Sequence, residues 1–217
     1  MHFLALGDAS SRRPGAKNGY VSEAHGRIGA MGAPDSSDVG AALDRRVDPV
    51  AEAEAYRTML LGLLGDRDPA NVQTELADQL DAVIEMSGSN LRTRPAPGEW
   101  SVLEVLGHIL DAEITSAARY RWILAQDEPT LIGYDQDRWV ERLHSLDEDP
   151  QEMLSMFRVL RRSHLQLWAG ASETDRARFG VHTERGAESF DLLFRLIAGH
   201  GLFHLGQMKR TLAQVAS

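Results

Sequence analysis

Hydrophobic residues recur at helical spacing along most of the chain, from about residue 50 onward. Four long stretches carry this pattern, separated by proline, glycine or polar residues, and they run over 71–88, 101–126, 150–169 and 189–215. A shorter apolar stretch, 50–65, precedes them and predicts a leading helix that ends at Gly65. The regular alternation of apolar and polar residues that marks a half-buried strand is not evident. The pattern therefore predicts an all-α fold, a four-helix bundle with an additional leading helix.

The second long stretch has the clearest helix start. Ser101 is followed three residues later by Glu104, and this pattern predicts a capping box, in which each side chain accepts a hydrogen bond from the backbone N–H of the other residue. Just upstream, two prolines and a glycine in 95–98 exclude a continuous helix. Ser189 is a suitable cap for the last helix. A further short helix is expected at 136–144, within the connection between the second and third long helices.

Residues 1–48 differ from the rest of the chain. They are rich in glycine, serine and other small residues, and they show neither a helical nor a strand period. Such a segment buries too little apolar surface to offset the entropy lost on ordering. We therefore expect a disordered extension over 1–48 and one folded domain over 49–217.

Composition narrows the classes of function. The net charge of −9 disfavours binding to a nucleic-acid backbone, which requires a clustered basic surface. The absence of cysteine excludes disulfides, thiolate nucleophiles and cysteine-ligated metals. No apolar run approaches the roughly 20 residues of a membrane span, and the short apolar start lacks a preceding positive region. We expect a cytoplasmic protein without a nucleic-acid or membrane partner.

Two histidines near the C-terminus are the strongest chemical signal. In HGLFHLGQMKR, His200 and His204 are four residues apart, so they lie on one helix face together with apolar residues such as Ile197 and Met208. His108, in the capped helix, lies at the edge of an apolar stripe and can also face the interior. The pattern leaves two interpretations open: hydrogen-bonded core histidines, or three ligands of a metal with open positions for water or substrate.

A resemblance to a known family favours the metal. The stretches PAPGEWSVLEVLGHILDAE, GYDQDRW, FRVLRRSHLQLW and AGHGLFHLGQMKR resemble the DinB/YfiT-like superfamily of metalloenzymes, over about residues 50–215. That resemblance implies a four-helix bundle whose metal is bound by one histidine of the second bundle helix and two of the last. Matched motif by motif, these are His108, His200 and His204. Zinc and nickel suit such ligands best, and iron or manganese is also compatible.

The resemblance implies two chemistries for such a site. One is transfer or isomerisation with a low-molecular-weight thiol as cosubstrate, which we prefer because the chain has no cysteine of its own. The other is metal-dependent hydrolysis of a small-molecule substrate. A non-catalytic, stress-associated metal-binding bundle is the remaining alternative, with the leading helix as a dimerisation surface. The resemblance also implies a homodimer.

Other polar residues near these motifs are weaker candidates. Asp111 could orient His108, Asp135 could act as an acid or base, and Gln207 could contact a substrate. For Asp135 a turn-forming role is the commoner one. We expect Glu104 to serve the capping box. We expect His164 in the core, and His144 and His182 exposed in polar connections.

Overall fold

The computed structural model describes residues 50–144 and 146–217. Its helices are α1 (Ala53–Leu64), α2 (Pro69–Ser87), α3 (Val102–Ala125), α4 (Gln136–Leu143), α5 (Pro150–Gly170), α6 (Glu173–Ala177) and α7 (Phe190–Val215), with a 3-10 turn at Gly88–Arg92. The leading helix is α1, and α2, α3, α5 and α7 are the four bundle helices, so the predicted architecture is confirmed. The extension predicted for 1–48 lies outside the described residues.

The helices begin where the sequence places their caps. Ser101 Oγ accepts from the backbone N–H of Glu104, while the Glu104 carboxylate accepts from the N–H of Ser101 at 2.9 Å, which completes the predicted capping box. Glu104 also pairs with Arg94. Ser189 caps α7 through the N–H of Leu192. These bonds fix the first turns of the two helices that carry the candidate histidines.

A small sheet joins the connections at one end of the bundle. Its strands are β1 (Thr130–Leu131), β2 (Phe179–His182) and β3 (Gly186–Ser189), in the order β1-β2-β3. β1 is parallel to β2, and β2 is antiparallel to β3. The expectation of no strand is wrong here, because strands of two to four residues are too short to show an alternating pattern.

The leading helix packs against α7 within the same chain. Its apolar face buries Leu60, Leu63 and Leu64. α7 carries Gly199 at the contact, where an added Cβ would overlap the backbone carbonyl of Leu60. The apolar face of α1, which belongs to the leading helix predicted as a dimerisation surface, is thus packed against α7 of the same chain. It also places Tyr56 and Arg57 beside the cavity described below.

The bundle interior holds a buried polar network between apolar clusters. Arg161 of α5 donates to Glu113 of α3 at 2.8 Å and to Gln73 of α2 at 2.7 Å, and Gln73 donates to the Phe194 carbonyl of α7. His164 Nδ1 lies 2.8 Å from the second Glu113 oxygen, which confirms its place in the core. One network thus links all four bundle helices and fixes their relative positions.

In the described part of the chain, no helix combines the length and the apolar character needed to cross a membrane.

The network generates a test of the fold. Replacing Arg161→Met leaves the Glu113 carboxylate buried without its guanidinium partner, and we expect the free energy of unfolding in urea to fall by about 3 kcal/mol or more. The matched control is Arg158→Met on the same helix. Arg158 pairs with Asp81 at the surface, and its loss should cost about 1 kcal/mol or less. Equal losses for the two variants would show that the network does not stabilise the bundle.

Candidate metal centre

Three histidine side chains converge between α3 and α7. The Nε2 atom of His108 lies 3.1 Å from the Nε2 atoms of both His200 and His204. One ring nitrogen of each residue falls within 4.8 Å of the other two. His108 and His204 are buried, and His200 is partly buried at the wall of a cavity. The structure thus brings together the three histidines that the sequence singles out.

Burial keeps these imidazoles neutral. Desolvation lowers the pKa of His108 and of His200 well below the usual range, and the neighbouring histidines lower both further. Desolvation likewise lowers the pKa of His204 to about 4, against a smaller opposing effect of the hydrogen bond to Gln207. Neutral imidazole is the form that binds metals, because a protonated ring nitrogen has no free lone pair.

Gln207 determines which nitrogen of His204 faces the cluster. The Gln207 Oε1 atom can only accept, and it lies 2.7 Å from His204 Nδ1. In a neutral ring the proton therefore resides on Nδ1, and the lone pair of Nε2 points at the other two histidines. Such a partner on the far nitrogen is the usual companion of a metal-binding histidine. Gln207 is thus a positioning residue of this cluster.

The geometry of the cluster fits a divalent cation. A neutral His108 ring carries at most one hydrogen on Nε2. It can therefore donate a hydrogen bond to His200 or to His204, but not to both. Two imidazole nitrogens bound tetrahedrally at 2.0–2.1 Å lie about 3.3 Å apart. The observed spacing of 3.1 Å is close to that value.

A cavity of about 100 Å³ opens onto two of the three histidines, His108 and His200. One wall is apolar and comes from α7, through Leu193, Leu196 and Ile197. Polar side chains also line the cavity, and they are Thr115, Ser116, Arg119, Tyr134, Gln136, Glu184 and Arg185. Burial raises the pKa of Tyr134 to about 12, so this phenol is a hydrogen-bond donor at neutral pH. The cluster therefore faces a space that can receive a small molecule.

Comparison with known proteins identifies the family. The family model described as the DinB superfamily matches residues 71–208, which contain all three histidines. The chain belongs to the DinB superfamily.

Curated relatives carry names that refer to a metal. A protein of Oceanobacillus iheyensis named "Putative metal-dependent hydrolase" is 27% identical over 128 residues, which are 59% of this chain and 74% of that protein. YfiT of Bacillus subtilis, with the same designation, is 30% identical over 90 residues, or 41% of this chain and 51% of its own length.

A solved structure shows the same fold. It is YfiT from Bacillus subtilis, described as "a probable metal-dependent hydrolase with an unusual four-helix bundle topology". The TM-score is 0.63 at 20% identity, over 79% of this chain and 92% of that one.

Two of the predicted candidates in this DinB-superfamily chain have structural partners away from the cluster. Asp111 is bound to His144 Nε2 at 2.8 Å rather than to His108. Asp135 is exposed and caps α4 through the N–H of Arg138. An acid–base role for Asp135 has no geometric support, because its carboxylate is engaged in this cap.

Two histidines that the sequence places on the surface are not exposed. His182, the last residue of β2, is buried. The His144 side chain is 8% exposed and packs over Gly107, where an added Cβ would lie 2.6 Å from the ring. The expectation of exposure is wrong for both, because polar flanking residues do not reveal a side chain that turns inward. Gly107, next to His108, indicates in the sequence that another group can approach closely here, and the structure shows that this group is the His144 ring.

The ion pairs of His144 predict a pH dependence. The hydrogen bond to Asp111, and more weakly that to Glu148, raises the pKa of His144 in the folded chain. Its stabilising effect is then complete below the unfolded pKa of about 6.5 and is lost as the pH rises through the folded pKa. The difference in free energy of unfolding between wild type and His144→Gln should be larger at about pH 6 than at about pH 9, as measured in urea.

His182 is a control for which the pH dependence of stability should have the opposite sign. Burial lowers its pKa to about 4, so the wild type should gain stability relative to His182→Gln as the pH rises from about 5 to 7. A His144 difference that is constant, or that grows with pH, would show that the Asp111 pair is not charged in the folded protein.

Proposed function

We propose that this chain is a metal-dependent hydrolase that binds a divalent cation through His108, His200 and His204. The single observation that carries the proposal is the convergence of three neutral imidazoles, two of which line a cavity. Three neutral ligands leave the charge of a cation undiminished and leave open positions for water and substrate. The names of the curated relatives support hydrolysis as the reaction.

The chemistry that a divalent cation supplies in such a site is Lewis-acid activation, because it polarises a carbonyl oxygen and lowers the pKa of water. The residues of the chain provide the rest. Gln207 holds the His204 ring in the orientation and tautomer that binding requires. The apolar wall of α7 limits access of bulk water to the cavity. Tyr134 faces the same space as a protonated phenol and can donate a hydrogen bond to a substrate oxygen.

Imidazole ligands suit zinc and nickel, and they also accept iron or manganese. We propose zinc or nickel, because neither requires a carboxylate ligand and none lies in the cluster of three histidines. Asp111, the nearest carboxylate along α3, is bound to His144.

Thiol-dependent transfer is the second candidate. The lack of cysteine favours it, because a thiol would have to come from a cosubstrate such as a low-molecular-weight thiol. The names of the relatives favour hydrolysis instead, so we place the thiol reaction second. The homodimer and the cytoplasmic location stay predictions.

The proposal predicts stoichiometric metal and a metal-dependent activity. Tag-free wild type should carry about one zinc or nickel per chain by elemental analysis, and His204→Ala should lose it, because two imidazoles rarely hold a cation alone. The metal-loaded wild type should hydrolyse members of a panel of activated esters and amides without added thiol. His204→Ala should lose that activity together with the metal.

Two further variants sharpen this test. Gln207→Leu keeps all three histidines but removes the acceptor for His204 Nδ1, and should weaken metal affinity by about 10–100-fold in competition with a chelator. His182→Gln removes a histidine remote from the cluster and should retain the metal. Metal retained in His204→Ala would contradict the site, and turnover only with an added thiol would favour transfer over hydrolysis.

A further inference from the structure

One buried cation in the cavity makes no direct ion pair among the described residues. Arg119 of α3 is 6% exposed and lines the same cavity as His108 and His200. Its Nη2 atom donates to the backbone carbonyl of Ile132, and its side chain makes no ion pair within residues 50–144 and 146–217. Burying a guanidinium without a carboxylate is costly, so such a residue commonly serves a charged ligand.

The other two arginines of the cavity share one carboxylate. Arg57 and Arg185 both contact the buried carboxylate of Glu188, at 3.3 and 2.8 Å. Glu184 adds a second carboxylate to the lining. Among these described side chains, three guanidinium groups face two carboxylates, which leaves one positive charge uncompensated. That excess matches a ligand group with a single negative charge, such as a carboxylate, better than a phosphate dianion.

Arg119 lies about three helical turns along α3 from His108. Residues 108, 112, 115, 116 and 119 all line the cavity, so they lie along one face of α3. At 1.5 Å per residue, Arg119 is about 16 Å along the helix from His108, and its side chain spans part of that distance. The separation between the guanidinium and the cluster is therefore roughly 10–15 Å. Leu193 and Ile197 of the apolar wall line the same cavity, within two turns before His200 on α7.

We infer that the substrate is a small amphiphilic carboxylate, whose acid group binds Arg119 while its other end reaches the histidine cluster across the apolar wall. The inference rests on the proposed function, because the cluster is taken as the reacting end. A guanidinium binds a carboxylate through two parallel N–H···O bonds, and the Nε and Nη1 donors of Arg119 make no other hydrogen bond among the described residues. Arg119 would thus determine which substrates bind, while the reaction would take place at the histidine cluster.

Matched pairs of acids test this inference without turnover. The probes are adipate, suberate, sebacate and dodecanedioate, each against the monocarboxylate of equal length, with calorimetry on the zinc-loaded protein. In the wild type, the best-fitting dicarboxylate should bind about tenfold or more tightly than its monocarboxylate, because only it reaches both ends. Arg119→Gln should bring the two affinities within about twofold of each other.

Three controls separate the possible outcomes. Arg121→Gln, on the exposed side of the same helix, should keep the preference for dicarboxylates. Arg119→Lys keeps the charge and should retain part of the preference, which a purely structural role would not give. Zinc content and circular dichroism are measured for every variant.

The outcomes distinguish this inference from the proposed function. Full zinc content without a dicarboxylate preference, or a preference that survives in Arg119→Gln, overturns the inference and leaves the metal site standing. A wild type that can be loaded with neither zinc nor nickel contradicts both.

Discussion

The burial of three imidazole rings against one another is the constraint on which the rest of the structure depends. Desolvation holds all three in the neutral form, because a charge on any one would lie in the bundle interior beside two further rings. Neutral rings with Nε2 atoms 3.1 Å apart cannot satisfy one another by hydrogen bonds alone. The folded chain therefore holds three imidazole rings whose hydrogen bonding is incomplete, and the proposed cation would complete it by binding their Nε2 lone pairs.

The scaffold around the cluster meets this constraint by fixing its helices before any ligand binds. The capping box of Ser101 and Glu104 fixes the start of α3, two turns before His108. The Arg161 network links the four bundle helices from within. The contact of α1 with Gly199 then brings a further helix against α7, one residue before His200. The ring positions thus follow from packing, with Gln207 setting the orientation of His204.

The sequence predicted the parts of this design that depend on local pattern. Helical periodicity gave the bundle helices, and the serine caps gave two of their starts, because both signals act within a few residues. The three histidines followed from helix-face geometry and a family resemblance. The ligand role of that set stays a proposal.

Long-range contacts could not be inferred in the same way. The partner of Asp111 is His144, 33 residues away, and nothing in the local pattern of either residue indicates the pair. The same holds for Arg119, whose lack of a direct ion pair among the described residues is visible only once its neighbours are placed. The short strands could not be predicted for a different reason. A strand of two to four residues is too short to show an alternating pattern of apolar and polar residues. Burial of polar side chains is the property that sequence pattern reports least well.

X-ray absorption spectroscopy of the zinc-loaded, tag-free protein tests the metal site most directly. The spectrum should show nitrogen or oxygen ligands at about 2.0–2.1 Å, with the outer scattering of three imidazole rings. In His108→Ala, the number of imidazole rings should fall or the zinc should be lost. A wild-type spectrum with two imidazoles or fewer, or one that is unchanged in His108→Ala, would contradict a centre built from His108, His200 and His204.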